Sequence, residues 1–315
     1  MVVRPCEYRF TSRAKFFSLI PPEVARAAGA AEALRREHPL KHPARQTKPI
    51  KNTAHLDIRT EKSKDYAKTA GTMTFRVLYQ DEHLVAIDKP AGFYVHPPED
   101  GGHRISRNSN CLFLLRKQTG KYLYPVHRLD RATSGVLLFA FTLEAASHLS
   151  EQFRKREIRK SYYAVVRGWT DNEGTFNSEL TEDKSQESKS ATTLYSSLAR
   201  VELPNPIGRY STARYSLVQV EPLTGRMHQI RKHFSSASHP LIGDTTYGDG
   251  KHNRFFKELN GKTTLFLKAY SLSFKHPTTG EPLRVHARWT SSWLQIFDRF
   301  GACPYEVGLQ KKIKE

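Results

Sequence analysis

The sequence predicts an α+β fold with a mixed, largely antiparallel sheet. Strand-like segments outnumber helical ones, and several adjoin one another as hairpins across short turns. This arrangement argues against a doubly wound parallel sheet. Hydrophobic residues make up 38% of the 315 residues, which is enough to build a substantial core.

The first clear elements lie in the middle of the chain. The segment 75–97 predicts two strands around an acidic turn, followed by a Lys-Pro-Ala-Gly turn. The apolar run at 136–142 predicts a buried strand. Thr142 can then cap a helix that continues to about residue 156, because apolar residues recur along one face of it.

The second half of the chain continues the pattern. Apolar and alternating residues predict strands at 161–169 and 213–222. Between them, the segment 170–200 includes EDKSQESKSATT at 182–193, which is polar and of low complexity, so we expect an exposed loop there. A helix is predicted at 224–237, and two strands around a Pro-Thr-Thr-Gly turn at 263–287.

The charge of the chain indicates a polyanionic partner. Lysine and arginine outnumber aspartate and glutamate by 50 to 31, a formal net charge of +19. Nucleic acid is the commonest partner of such a surface, and a basic but unengaged surface is the alternative. The three cysteines are far apart and form no C-x-x-C pair, which argues against a disulfide framework and a structural zinc site. This cysteine pattern fits a reducing compartment, so we expect a cytoplasmic protein. No apolar run reaches the roughly 20 residues of a membrane span.

Residues 1–72 differ from the rest in composition. They hold 15 Lys and Arg against 7 Asp and Glu, and the short helix possible at 22–38 lacks a strong apolar stripe. We expect a basic, disordered extension at 1–72 and a globular domain at 73–315. Met73 directly precedes the first clear strand, which starts at Phe75, so it is a candidate for the true start codon.

The stretch HRLDRATSG at 127–135 is the first candidate for chemistry. Asp130 lies on a turn ahead of a buried strand, between Arg128 and Arg131. A nearby guanidinium favours the ionised carboxylate, which suits a nucleophile or a charge stabiliser. A surface ion pair on a turn is the alternative.

The stretch KSYYAVVRG at 160–168 is the second candidate. The period of a strand places Lys160 and Tyr162 on one face. An aromatic side chain in a basic cleft can stack on a nucleobase, and an ordinary core tyrosine is the alternative.

The stretch TGRMHQIRKHF at 224–234 is the third. In a helix, His228 and Arg231 would lie one turn apart, and Arg226 in the first turn would need an anionic partner or solvent. A solvated basic face is the alternative. His228 and His233 lack the spacing of zinc ligands and have no cysteine nearby, so we reject a metal site.

These three stretches, in this order, resemble the RluA family of pseudouridine synthases. The family pattern HRLDxxTSG, KxYxAxVxG and TGRxHQIRxH is present, and the resemblance covers about 73–290, including VLYQDEHLVAIDKPAGFYVHP, HPLIGDTTYG and HPTTGEPL. It implies the pseudouridine synthase fold, with flanking helices and a central RNA-binding cleft. QDEHLVAIDKP, GRYSTARYSLVQVEPLTGR and GDTTYGDGKHNRFF are most similar to the branch that modifies uridine 65 of tRNA. Lys268 departs from the family, which commonly has histidine there.

The resemblance also implies residue roles in a uridine isomerase that needs neither cofactor nor metal. Asp130 matches the catalytic aspartate, and Tyr162 matches the tyrosine that stacks on the target base. Arg231 matches the arginine that pairs with the aspartate. Arg128 matches a residue that fills the space left by the flipped base, and flipping is required because C1′ and C5 must leave the stack.

The remaining expectations concern partners. Further RNA contacts are expected from His127, Arg131, Lys160, Arg226 and His228. We expect a monomer that acts on tRNA without a small-molecule cofactor and without a membrane. The same chemistry on ribosomal RNA is the alternative within the family, and a non-catalytic RNA-binding protein is the alternative from another class. A hydrolase is disfavoured, because no second carboxylate or histidine-based triad stands at motif spacing.

Overall fold

The computed structural model describes residues 66–69, 72–96, 106–181, 187–261 and 264–304. The strands in these ranges are β1 (Tyr66–Thr69), β2 (Thr72–Gln80), β3 (Leu84–Lys89), β4 (Tyr124–Pro125), β5 (Ser134–Ala140), β6 (Arg159–Arg167), β7 (Glu173–Thr181), β8 (Ser188–Leu203), β9 (Ala213–Pro222), β10 (Leu267–Lys275) and β11 (Pro282–His286). The helices are α1 (Cys111–Thr119), α2 (Leu143–Arg154), α3 (Gln229–Ser236), α4 (Gly250–Asn260) and α5 (Ser291–Arg299), with a short 3-10 helix at Arg107–Ser109.

The predicted α+β class with a mixed, largely antiparallel sheet is confirmed. The strand order is β1-β2-β3-β5-β10-β6-β9-β8-β7, with β11 beside β10 and β4 beside β5. Among the described strands, β5 and β10 are the one parallel pair, and their ladder comprises only Lys268 with Ser134 and Ala269 with Gly135. Further along β10 the neighbour is β11. Along the main strand order, the ladder between β5 and β10 is the shortest.

Gly135 permits this central junction. Its φ is +119°, and a Cβ there would lie 2.0 Å from the backbone oxygen of Ala269. A side chain at this position would strain the backbone and push β5 away from β10. Since Asp130 lies just before β5, Gly135 also helps to set where the loop with Asp130 leaves the sheet.

The central strands are covered on both faces. All of β3 and the last six residues of β5 are buried. On one face, Leu149 of α2 packs in a cluster with Val136 and Leu138, and on the other, Leu115 of α1 packs in a cluster with Leu137. Because both faces are buried, the sequence of β5 is a continuous apolar run and does not alternate between apolar and polar residues.

The other half of the sheet is covered in the same way. Trp293 and Phe297 of α5 pack on one face, and Ile230 and Phe234 of α3 pack on the other. Tyr162 of β6 packs against both the α1 cluster and the α3 cluster. The helices α1 and α3 therefore lie on the same face, and Tyr162 marks the border between them.

Several predicted elements are confirmed. The hairpin at 75–97 is β2 and β3, and the two strands around Pro-Thr-Thr-Gly are β10 and β11. The strands predicted at 136–142, 161–169 and 213–222 are β5, β6 and β9. Thr142 caps α2, since its hydroxyl accepts the N–H of Ala145 at 3.2 Å.

The exposed loop predicted at 182–193 is wrong for residues 188–193, which belong to β8. Strands β7 and β8 form an antiparallel hairpin there, and its tip at 182–186 lies outside the described residues. Apolar residues on one face of this hairpin pack on α3, where Phe176 stacks on Tyr195 at 5.1 Å. The other face is exposed and rich in serine and threonine, which explains the polar composition of the segment.

The helix predicted at 224–237 begins later than expected. The Gln229 side-chain oxygen accepts the hydroxyl of Thr224 at 2.6 Å and the N–H of Arg226 at 3.0 Å, which holds the preceding residues in a turn. His228 is the N-cap of α3 and has a left-handed φ of +55°. The prediction that His228 and Arg231 lie one turn apart within a helix is therefore wrong.

The N-terminal boundary differs from expectation in one respect. The first strand was predicted to start at Phe75, but β2 starts at Thr72 and pairs antiparallel with β1. Strand structure therefore extends into 1–72, whereas the helix possible at 22–38 lies outside the described residues. The division at residue 72 stays a prediction. No helix in the described part of the chain is long and apolar enough to cross a membrane.

Candidate active site

Asp130 lies on a tight turn between β4 and β5. The N–H of Thr133 donates to the carbonyl of Asp130 at 3.1 Å and closes the turn. The Asp130 side chain is 23% exposed, so its carboxylate is accessible to a ligand.

His127 anchors the start of this loop. Its Nε2 accepts the N–H of Leu138 in β5 at 3.0 Å, and its ring stacks on Phe153 of α2 at 4.8 Å. Burial, with a smaller contribution from the charge of Lys160, lowers the pKa of His127 to about 3, so the ring is neutral at pH 7. The observed contacts hold the loop to the sheet, and the contact of His127 with RNA stays a prediction.

Lys89, the last residue of β3, also anchors the loop that carries Asp130. Its ammonium group is fully buried and donates to the carbonyls of Pro90, Phe93 and Arg131 at 3.0 to 3.2 Å. Burial lowers the pKa of Lys89 to about 8, although the charge of Asp130 acts in the opposite direction. Lys89 was not among the predicted site residues. Its sequence signal is the second of the two charges that follow the apolar run LVAI.

Arg231 in the first turn of α3 connects two carboxylates. Its Nη1 lies 3.3 Å from Oδ2 of Asp130, as the resemblance implies. Its Nε and Nη2 donate to the two carboxylate oxygens of Asp244 at 2.7 and 2.8 Å. The side chain of Arg231 is only 6% exposed, so this bidentate pair lies away from solvent.

Asp244 was not among the predicted site residues. Its Oδ1 also accepts the backbone N–H groups of Thr246 and Tyr247 at 2.9 and 3.0 Å. Burial alone would raise the pKa of Asp244, but the bonds from Arg231 and these two N–H groups outweigh it, and the pKa is lowered. Asp244 therefore stays an anion and directs the remaining nitrogen of Arg231 toward Asp130. Its sequence signal is the acid within HPLIGDTTYG.

Lys160 and Tyr162 lie on one face of β6, as the strand period predicts. Burial raises the pKa of Tyr162, with a further contribution from the charge of Asp130, so the phenol is protonated at neutral pH. The ammonium of Lys160 donates to the carbonyl of Thr224 at 2.8 Å. Burial lowers the pKa of Lys160 to about 8, and the charge of Arg156 acts in the same direction.

The arginines that flank Asp130 in the sequence do not pair with it. Arg128 is exposed, whereas Arg131 donates to the carbonyl of Gly92 at 3.2 Å and lies over the ring of Tyr94 at 5.1 Å. The expectation that these neighbours supply the cation for Asp130 is therefore wrong. The cation is Arg231, which is 101 residues away in the chain.

His228 and Arg226 lie on the turn before α3. Nδ1 of His228 lies 3.0 Å from the hydroxyl of Tyr247, and its Nε2 lies 3.9 Å from Oδ2 of Asp130. Arg226 donates to the carbonyl of Ser190 in β8 at 3.2 Å, so a backbone carbonyl takes the place of the expected anionic partner.

The arrangement offers one accessible carboxylate beside a buried guanidinium and a protonated phenol. Asp244 cannot act as a second reactive acid, because its side chain is 1% exposed and engaged by Arg231. A single carboxylate suits attack on, or charge stabilisation at, an electron-poor carbon rather than hydrolysis by paired carboxylates. Within the described ranges, no group of three or more His, Cys, Asp and Glu side chains could hold a metal ion.

Comparison with known proteins identifies the family. The family model described as RNA pseudouridylate synthase matches residues 83–236. The chain is 41% identical over 235 residues to tRNA pseudouridine synthase C of Vibrio cholerae, covering 71% of this chain and 95% of that protein. It is 43% identical over 235 residues to the protein of the same name from Haemophilus influenzae, covering 71% and 97%. The Pectobacterium carotovorum protein is 43% identical over 237 residues, and the match spans 71% of this chain but 62% of that relative.

Solved structures agree on the fold. Human RNA Pseudouridylate Synthase Domain Containing 4 aligns with a TM-score of 0.56 and 25% identity, over 72% of this chain and 93% of that one. Human RNA Pseudouridylate Synthase Domain Containing 1 aligns with a TM-score of 0.51 and 22% identity, over 73% and 96%. Both structures therefore support a pseudouridylate synthase fold for this chain. The chain belongs to the RNA pseudouridylate synthase family, which confirms the resemblance seen in the motifs.

Proposed function

We propose that this protein converts uridine into pseudouridine in tRNA. The observation that carries the proposal is the accessible carboxylate of Asp130, held against Arg231 and beside Tyr162, in a chain of this family. The name shared by the bacterial relatives, tRNA pseudouridine synthase C, supports tRNA rather than ribosomal RNA as the substrate.

The proposed reaction is an isomerisation. The bond between C1′ and N1 breaks, a bond between C1′ and C5 forms, C5 loses its proton, and N1 ends with one, so atoms and charge balance without a cofactor. The target base must first leave the stack, because its C5 and C1′ are otherwise inaccessible. The exposed side chain of Arg128 supports its proposed role of filling the vacated space.

Asp130 is proposed to act at the ribose, by attack on the sugar or by stabilising positive charge at C1′. Arg231 orients the carboxylate and is itself oriented by Asp244. Tyr162 is proposed to stack on the flipped base, and its phenol enters the reaction carrying a proton that it can exchange with the base. Lys160 lies on the same strand as Tyr162, His228 lies beside Asp130, and Arg226 lies on the turn before α3. All three are proposed to contact RNA.

The finer proposal is that the target is uridine 65 of tRNA. It is supported by the resemblance of QDEHLVAIDKP, GRYSTARYSLVQVEPLTGR and GDTTYGDGKHNRFF to that branch of the family. We also propose that the enzyme acts as a monomer and that 73–315 forms the catalytic domain.

Pseudouridine mapping tests the proposal. Total tRNA and ribosomal RNA from cells lacking the gene are incubated with the protein or with Asp130→Asn. The parent should form pseudouridine at position 65 of tRNA, and the variant should bind the same tRNA but form none, because its shape is kept and the anion is lost. Modification of ribosomal RNA alone would refute the substrate, and turnover by the variant at the parent rate would refute the role of Asp130.

A further inference from the structure

The end of α2 places an arginine where glycine is usual. Arg156 has a left-handed φ of +61°. Its N–H donates to the carbonyl of Phe153 at 3.2 Å, and the N–H of Glu157 donates to the carbonyl of Gln152 at 2.9 Å. These two bonds form a Schellman motif, whose left-handed position is normally held by glycine and sometimes by asparagine. An arginine there strains the backbone.

Arg156 also lies near a second positive charge. Its exposed side chain is close enough to Lys160 that its charge adds to the effect of burial in lowering the pKa of Lys160. Arg156 makes no ion pair with any described residue. Arg154 and Lys155, by contrast, both pair with Glu151, and cations are favourable at a helix C-terminus. Pairing with Glu151 therefore explains these two residues but not Arg156.

The turn with Arg156 leads into β6, the strand that carries Lys160 and Tyr162 of the candidate active site. Lys160 shares a face of β6 with Tyr162 and donates to Thr224, at the start of the turn that leads into α3. Its charge also acts on His127, which lies three residues before Asp130 in the chain. An anion between Arg156 and Lys160 would thus lie at the edge of the cleft.

We propose that Arg156 binds a backbone phosphate of the RNA strand that enters the cleft beside Tyr162. A phosphate placed there converts the repulsion between Arg156 and Lys160 into two attractive contacts. Such a contact positions the strand without reading its sequence. The inference rests on the proposed function, because it requires an RNA substrate.

The test replaces Arg156 with the residue that the turn prefers. Arg156→Gly relieves the left-handed strain, so its melting temperature should equal or exceed that of the parent. Its dissociation constant for tRNA should nevertheless rise several-fold, and the slope of log affinity against log salt should fall by about 1, as for one lost phosphate contact. Lys155→Gln is the matched control, since it removes one positive charge from the adjacent, paired position. Its salt slope should stay close to the parent value.

Two results would overturn the inference. One is an Arg156→Gly variant that binds tRNA as tightly as the parent. The other is a Lys155→Gln variant that loses as much affinity, which would show a general effect of net charge. If the glycine variant folds poorly, the strain argument fails, and Arg156→Asn, which also tolerates this conformation, decides the contact by the same salt slopes. Pseudouridine formation is scored separately, so a parent that binds tRNA without modifying it refutes the proposed function alone.

Discussion

Neutralising Asp244 should destabilise the protein strongly. Asp244→Asn keeps the size of the side chain but leaves the buried Arg231 with Asp130, at 3.3 Å, as its remaining carboxylate. Removing one partner of a buried ion pair typically costs about 3–5 kcal/mol, and the lower value applies because asparagine still accepts one hydrogen bond. A loss of about 3 kcal/mol should lower the melting temperature of a domain of this size by about 6–12 °C.

Asp249 provides a matched control for this substitution. It also pairs with an arginine, since its Oδ2 lies 2.7 Å from Nη1 of Arg167, but its side chain is 26% exposed. It caps α4 by accepting the N–H of Lys251 at 2.9 Å, and asparagine caps helices equally well. Asp249→Asn therefore removes a charge from a solvent-screened pair, and its loss should stay below about 1 kcal/mol.

The assay is urea unfolding of both variants at pH 7, with the rate of pseudouridine formation measured where each is folded. The rate of Asp244→Asn should fall further than the unfolded fraction explains, because Arg231 is no longer directed at Asp130. Equal destabilisation by the two variants would refute the argument from burial. A parental rate in folded Asp244→Asn would show that the orientation of Arg231 does not depend on Asp244.

Three further predictions concern the sheet, the cleft and the N-terminus. Gly135→Ala should lower the free energy of unfolding in urea by more than about 3 kcal/mol, because its Cβ would meet the backbone of Ala269. Gly92→Ala, which has a φ of +95° but open space around its Cβ, should lower it by about 1–2 kcal/mol. Equal losses would contradict the clash. Because the pKa of Lys160 is about 8, its positive charge is lost as the pH rises from 7 to 9. The affinity for tRNA, measured by fluorescence anisotropy, should weaken about fivefold over this range. It should weaken less in Lys160→Arg, which keeps its charge. A chain that begins at Met73 loses β1 but keeps a formal +11 of the +19, so it should fold and modify the same uridine with weaker binding at moderate salt. Insolubility or a changed target site in the mapping assay would show that the preceding residues are part of the domain.

The elements that sequence alone predicted are those with strong local patterns. The apolar run of β5, the alternation of β9 and the cap at Thr142 each depend on residues close together in the chain. The polar hairpin of β7 and β8 was missed because only one of its faces is buried, and serine and threonine dominate the other. The start of α3 was missed because the side chain of Gln229 holds the preceding residues in a turn.

The site was predictable only in part, because long-range contacts complete it. Family motifs identified Asp130, Tyr162 and Arg231, and the structure brings these residues together. Reasoning from neighbours in the chain assigned the wrong cations to Asp130, since Arg131 turns toward the segment after β3. Asp244 could not be assigned a role, because its partner Arg231 belongs to a different element.

The position of the cleft follows from the topology of the sheet. The junction of β5 and β10 holds only two residue pairs, because β11 then takes the place of β5 beside β10. The loop with Asp130 therefore emerges near the middle of the sheet instead of at an edge. On this face α1 covers one half and α3 the other, and Tyr162 lies at the border of their two apolar clusters. A base turned out of its stack would thus meet an aromatic ring at the border of the two helices, with the carboxylate beside it and Arg231 of α3 behind.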